Sequence, residues 1–439
     1  MRGTLVLLII IGSLPKCLAQ PWIGVLMFSW ISFMNPHKYA WGPVRSFPVA
    51  MVVAIATLVG LALTRDKQML PKDKLTICMV LLWMVFIMTT PFAINQAGAW
   101  SQLAEISKIL TMIFVSMIMI NDRRKLRYLL LTIAFSLGLI GAKGGLFAIL
   151  SGGAHRVYGP EGTFLGDNND LGLALNMALP LMLYLYKTET NSWIKLLLRI
   201  SFVMSIIAIV FTYSRGAFLG LAVVGFLLMV KARYKSLAIV MLAAGVLIGS
   251  LFIPSQWGER MGTIKSYERD QSAQGRLNAW ATAWNLALDR PIIGGGFRAF
   301  FVREVFVRYA PDARDVRDVH SSYFQMLGEH GFIGLGIYLS LLGMTLTSLI
   351  ALKRQLRRNP EIQWAQNYPD MLQVSLLAYM VSGTFLGRAY FDLLYQNIAI
   401  VVIVKNLVYQ EIRALGKTTA APAARAVLRP MAPRYGLRV

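Results

Sequence analysis

Long apolar runs follow one another along almost the whole chain, separated by short polar stretches that are mostly basic. A helix needs roughly 20 predominantly apolar residues to cross a bilayer. Runs that meet or approach that length lie at 48–64, 74–94, 104–120, 127–150, 170–186, 194–213, 216–230, 236–254, 322–352, 372–387 and 391–410. Ahead of them stand one run from Thr4 to Leu14 and another from Trp22 to Met34. The pattern predicts an all-α, polytopic integral membrane protein with about 12 transmembrane helices. Residues 1–439 are expected to form a single membrane domain. The first twenty residues imitate a secretory signal peptide, with Cys17-Leu18-Ala19 before Gln20. Retention is the expectation, because the second run is short and pairs with the first as a broken or hairpin element. Lys16 in front of Cys17 also spoils a lipoprotein-type site.

Composition changes this picture only in detail. With 56% hydrophobic and 15% charged residues, apolar side chains outnumber what a soluble surface tolerates. The net charge of +23, from 44 Lys and Arg against 21 Asp and Glu, would suggest nucleic acid in a soluble protein. Here the basic residues gather in short loops: Arg65, Lys67, Lys72 and Lys74; Arg123, Arg124, Lys125 and Arg127; Lys187, Lys195 and Arg199; Lys231, Arg233 and Lys235; Lys353, Arg354, Arg357 and Arg358. These clusters fall on every second loop, which predicts that they are cytoplasmic, together with a basic tail over 413–439. No aromatic-basic recognition module accompanies them, so no nucleic acid is expected as a partner. Parity then puts the loops 35–47, 151–169 and 255–321 outside. The last is long, with ten basic and eight acidic residues between Glu259 and Asp318. Within it Ser272–Leu288 has helical periodicity, with Trp280 and Trp284 four apart, and suits an amphipathic helix at the interface. Asp289-Arg290-Pro291 ends that helix and Ile292–Phe297 is a glycine-rich turn. Cys17 and Cys78 lie in or beside apolar runs, which indicates neither a disulfide framework nor a thiolate metal site.

Ionisable residues at membrane depth are costly and point to function. Arg215 stands in Phe211–Gly220, at an outside junction of two apolar helices. Two readings stand: it caps a helix end and snorkels to the headgroups, or its fork and the N–H groups of the following helix grip a phosphate. Arg276, after Gln274-Gly275, sits where the amphipathic helix is expected to start and is a second anion candidate beside the plainer reading of a solvated arginine. His320 lies where the long loop enters the next span, and a neutral histidine can take a proton from a hydroxyl near pH 7. The plainer alternative is a capping histidine. Glu329, nine residues on in an apolar helix, needs a partner and could support either site. His330, His37 and His155 read as structural. Val157–Gly172 is rich in Gly, Asp and Asn, either as turn chemistry with an Asx cap or as a site where Arg156, Asn168 and Asn169 meet sugar hydroxyls or phosphate. Lys143, inside an apolar helix, is a candidate for an outward-facing anion pocket. Neither a nucleotide-binding Gly-Lys-Ser/Thr loop nor an HExxH or acidic metal motif appears, so no cofactor, no metal and no ATP-driven step is expected.

Taken together, these residues resemble the bacterial O-antigen ligase and O-antigen polymerase superfamily of membrane glycosyltransferases. The resemblance rests on Tyr213-Ser214-Arg215-Gly216-Ala217, on Gly275-Arg276 followed by Pro291–Phe297, and on His320 with Tyr323, Leu327, Glu329 and Gly331. Gly162–Asn169 looks like the family's earlier asparagine-rich loop, and the likeness is best over roughly 150–400. It implies a glycan donor on undecaprenyl diphosphate, presented at the periplasmic face of the inner membrane, and metal-independent transfer to a hydroxyl. By the same resemblance, Arg215 and Arg276 would hold the diphosphate and His320 would deprotonate or orient the acceptor.

The resemblance makes an O-antigen ligase, with a lipid A-core sugar as acceptor, the leading expectation. A polymerase or a protein O-oligosaccharyltransferase of the same superfamily is the alternative, and Asn35-Pro36-His37 resembles a subgroup of O-glycosylation ligases. A transporter or lipid flippase is the competing class, for which a charged cavity at the membrane midplane would speak.

Overall fold

The computed structural model describes residues 2–40, 43–231 and 271–427, and among these the chain is all helix, without a strand. In chain order the helices are α1 (Arg2–Ala19), α2 (Pro21–Met34), α3 (Val49–Leu63), α4 (Lys74–Thr89), α5 (Gln96–Met119), α6 (Arg123–Leu150), α7 (Asn168–Thr188), α8 (Ser192–Val210) and α9 (Arg215–Val230). There follow α10 (Gln271–Asp289), α11 (Arg303–Tyr309), α12 (Ser322–Arg358), α13 (Tyr368–Ser382) and α14 (Asp392–Val427). The expected run 236–254, with Arg233, Lys235 and the end of the basic tail, lies outside the described residues.

Local chemistry sets the boundaries. Asp73, Asn95, Asp122, Asp167, Asn191 and Ser214 cap six successive helices, α4 to α9, each side chain accepting an N–H of the first turn at 2.8–3.1 Å. Gln20 separates α1 from α2, and Pro21 opens α2 at the position where its missing N–H costs nothing. Both opening helices pack on each other and on α3.

Among the described residues, five helical stretches are long and apolar enough to cross a membrane: Lys74–Phe92, Gln96–Met119, Arg123–Leu150, Ser192–Val210 and Ser322–Arg358. Gly3–Ala19, Pro21–Met34, Val49–Leu63 and Arg215–Val230 are apolar but shorter. The long stretch before α12 contains α10 and α11, and α10 covers the expected amphipathic segment.

Two helices run through the middle of the bundle. Every residue of α7 from Asp170 to Met182 is buried, and so is every residue of α14 from Asp392 to Lys405. Helices enclosed on all sides must pack against neighbours instead of presenting one stripe. α6, α8, α9 and α13 surround α7. The outer helices turn large apolar side chains outward, among them Leu8, Ile55, Leu139 and Val203. Such a surface suits acyl chains and is unfit for water. Buried polar side chains tie the inner layer together: Asn176 donates to Ala217 O at 2.8 Å, and Asn397 to Ser375 Oγ at 2.6 Å.

The basic loops meet at one end of the bundle, as their alternation requires. Lys125 binds Asp66 (2.9 Å), Arg127 binds Glu189 (2.6 Å), and Lys405 binds Asp73 (2.5 Å). Lys231 and Lys353 share Asp370, and Arg123 pairs with Glu411. Glu189 is buried against Arg127. Burial pushes its carboxyl up, but Arg127 and the N–H groups of Thr190 and Asn191 outweigh this and hold it below its ordinary value. A depressed carboxyl stabilises the fold above its unfolded value, about 4.3, and loses that contribution as pH falls through the folded one. Glu189→Gln is therefore expected to cost on the order of 1–2 kcal/mol at pH 7. In thermal unfolding in detergent, its deficit against the parent should shrink below about pH 4.

Candidate active site

α12 is interrupted near its start. Gly331 adopts φ 66° and ψ −168°, a region open in practice only to glycine. A break at membrane depth frees backbone groups that must find partners inside the protein. Here the glycine-rich turn supplies them. Gly328 O accepts from Gly295 N and Glu329 O from Gly296 N, both at 2.8 Å, while Phe332 N donates to Pro291 O, also at 2.8 Å. Gly294 and Gly296 take positive φ in the turn, and Ile94 N donates to Gly295 O (2.8 Å), joining the loop after α4. The turn and the break are thus one unit, with no room for a Cβ on Gly331, which would stand 2.4 Å from Pro291 O.

A cavity of about 720 Å³ opens beside this unit. α5 contributes Gln102 and Glu105, the loop before α7 contributes Thr163 and Phe164, and α12 contributes Gln325 and Glu329. Arg298, Asp318 and the segment from Gly387 to Asp392 complete the wall. Two guanidinium groups face four carboxylates there. Arg388 grips both oxygens of Asp170, a buried residue of α7. Arg298 donates from Nε to Gln102 (3.0 Å) and from its backbone N–H to Glu329 Oε1 (2.8 Å), with its own φ at +58°. Asp392 accepts from Ser32 Oγ (2.6 Å) and opens α14.

Glu329 is 2% exposed and heads a chain of polar groups. Tyr390 Oη lies 2.5 Å from Glu329 Oε2 and 2.8 Å from His330 Nε2, and His330 Nδ1 lies 2.7 Å from Thr89 Oγ1. Phe86 and Phe297 enclose the histidine, with ring centroids at 4.7 and 4.6 Å.

The structure scatters the residues expected from sequence unevenly around this cavity. Glu329 lines it. Asn168 is buried and donates to Thr212 O (2.7 Å), tying the start of α7 to the turn before α9. Asn169 donates to its neighbour Asp167, which is the plain Asx cap. Arg215 is the first residue of α9 and is exposed, after Tyr213 at φ +53°. His320 is half-buried, with φ +42°, two residues from Asp318 on the cavity wall. Ser322 Oγ donates to Leu386 O (2.8 Å) and accepts from Arg388 N (3.1 Å), and Ser382 Oγ donates to Gly216 O (3.4 Å). The starts of α7, α9 and α12 and the segment after α13 therefore share one end of the bundle.

Arg276 differs from expectation. α10 begins at Gln271, so Arg276 stands more than a turn inside the helix and not at its N-terminus. Gly275 does not open the helix; it lets the helix approach Arg317 and Asp315, where a Cβ would lie 2.6 Å from both side chains. Lys143 is exposed on α6 with its ammonium 4.3 Å from the Tyr39 ring centroid. Arg156 is half-buried beside Val157, whose N–H donates to Phe211 O (2.9 Å). Neither Lys143 nor Arg156 lines the cavity. Trp280 turns inward, stacked on Phe324 at 5.0 Å, and Trp284 turns outward against Phe332.

Sequence reasoning passed over Arg298, Arg388 and Tyr390. Arg388 carries the same signal as Arg215, a lone arginine between two apolar runs at a junction that parity places outside. Arg298 is one basic residue among ten in its stretch and has no local signature. His330, read as structural, is wholly buried and belongs to the Glu329 chain.

Residues 200–339 match the model of a family described as O-Antigen ligase. Residues 1–190 match a family of unknown function. No curated protein matches the chain.

Gly331→Ala is expected to cost about 1–3 kcal/mol from backbone strain alone, with the Pro291 clash in addition. The measurement is the thermal midpoint in detergent, alongside Gly336→Ala, where a Cβ meets nothing within 4 Å.

Proposed function

From the premise that the chain belongs, through residues 200–339, to the O-antigen ligase superfamily, we propose that it transfers a glycan from undecaprenyl diphosphate to a lipid A-core sugar hydroxyl. The observation that carries this reading is the cavity, where the guanidinium groups of Arg298 and Arg388 stand among hydroxyl-accepting carboxylates. The acceptor oxygen attacks the anomeric carbon, the bond from that carbon to the phosphate oxygen breaks, and the diphosphate leaves with the electron pair. Arg298 and Arg388, with Arg215 and Arg276, hold the leaving charge as planar donors matched to phosphate oxygens. Lys143 and Arg156 are further anion contacts along the approach, and Asn168 and Asn169 keep the loop beside the donor in shape. His320 takes the hydroxyl proton. The donor is already activated, so neither ATP nor a bound metal has a step to perform. The ion-pair belt at the opposite end of the bundle favours a cytoplasmic position for that end, which turns the cavity to the periplasm.

A broken helix with a buried carboxylate is also a transporter feature. The break in α12 lies nine residues from the helix start, roughly 13 Å along the axis. The cavity beside it is walled by the loops before α7 and α12 and by the segment after α13, which favours chemistry near a membrane face over a midplane gate.

The test uses purified full-length protein, undecaprenyl-diphosphate-linked glycan and rough lipopolysaccharide, without ATP or divalent metal. Product is expected, and it should fall at least about a hundredfold in His320→Ala and in Arg388→Ala. Elongated lipid-linked glycan or glycosylated protein instead of modified lipopolysaccharide would move the function to polymerase or protein ligase. No transfer to any acceptor would sink the reading in favour of transport.

A further inference from the structure

The glycosyl-transfer reading leaves the Glu329 chain without a task, and the following rests on that reading. With Glu329 ionised, one placement of hydrogens satisfies the whole chain. Thr89 Oγ–H donates to His330 Nδ1, His330 Nε2–H donates to Tyr390 Oη, Tyr390 O–H donates to Glu329 Oε2, and the Arg298 N–H donates to Oε1. In that placement every donor points toward the carboxylate, with the Thr89 hydroxyl turned from the Phe86 carbonyl (3.3 Å) to His330. A carboxylate accepts at about four lone-pair positions, and the chain uses two of them. Glu329 lines the cavity, so its remaining acceptor capacity has the cavity as its outlet. His330 is 0% exposed and cannot meet a ligand itself. Its place between Phe86 and Phe297 fixes the Tyr390 hydroxyl from behind.

A fixed carboxylate attracts hydroxyl donors and repels phosphate, whereas Arg298 and Arg388 on the same wall do the reverse. A donor whose diphosphate meets the arginines therefore brings its first sugars to the acid. We propose that Glu329 binds a hydroxyl of the donor glycan, and that Tyr390 and His330 are positioning residues that aim it. The array distinguishes a glycan-bearing lipid diphosphate from a bare one.

The experiment is a binding titration, read by intrinsic tryptophan fluorescence, of full-length protein in detergent with undecaprenyl diphosphate carrying the glycan and with undecaprenyl diphosphate alone. Wild type is expected to favour the glycan-bearing lipid. Glu329→Gln should reduce that preference at least about tenfold, as loss of hydrogen bonds to a charged group implies, with binding of the bare lipid unchanged within about twofold. Tyr390→Phe keeps the ring packing and should lose part of the preference in the same direction, which a purely structural role would not produce. Thermal midpoints identify a variant that fails to fold, in which case Tyr390→Phe decides. A folded variant at either position that keeps the wild-type preference overturns this inference alone. Wild type that binds neither lipid overturns the glycosyl-transfer reading, and this inference with it.

Discussion

The exchange of backbone hydrogen bonds between the turn Pro291–Phe297 and the break at Gly331 is the constraint on which the site depends. An uninterrupted α12 would spend the Gly328 and Glu329 carbonyls on its own next turn. The left-handed step at Gly331 releases them, and the N–H groups of Gly295 and Gly296 in the turn take them up. Three consequences follow from one event. The short first segment of α12 gains its own direction, Glu329 is anchored at both its backbone and its carboxylate, and Arg298 is delivered to the cavity directly after the turn.

Charge is distributed by the same economy. At one end of the bundle basic side chains from several loops find acids on neighbouring elements, and Asp370 serves two lysines at once. Such pairs on partly exposed side chains contribute little singly, so their main effect is to fix which loops adjoin. At the other end a few carboxylates are deeply buried within the bundle. Asp170 and Glu329 sit on different helices, yet both are bound by the segment after α13. Polar groups this deep are expensive unless partnered, and here each carboxylate has a partner on both oxygens.

The helices were legible because their signals are local. Continuous apolar runs, a Ser, Asp or Asn ahead of α4 to α9, and Asp-Arg-Pro after the amphipathic segment are all contained within a few residues of the boundary they mark. The amphipathic segment was legible from Ser272 onward, but Arg276 was placed at a helix start when it lies inside α10, just after Gly275, which packs against Arg317. The cavity was only partly legible. Glu329 announced itself as a carboxylate in an apolar helix, whereas Tyr390 and His330 look like ordinary aromatic and structural residues until a partner 61 or 60 positions away is brought beside them. Arg388 was within reach of the reasoning applied to Arg215, but Asp170, its partner, stood 218 residues off inside an apolar run.

The first nine residues of α12 carry Ser322, Gln325 and Glu329 on one stripe, at the three- and four-residue spacing of a helix face. They engage, in order, the backbone N–H of Arg388, the backbone N–H of Ala389 and the hydroxyl of Tyr390. The extended piece of chain between α13 and α14 therefore lies along α12 like a toothed rail along a gear, each tooth assigned. Because Arg388 reaches Asp170 on one helix and Tyr390 reaches Glu329 on another, the two-residue interval between them is a ruler held at both ends. Shortening or lengthening it by a single residue would put the chain out of phase with one acid or the other, so the count of residues in this stretch matters to the cavity as well as their identity.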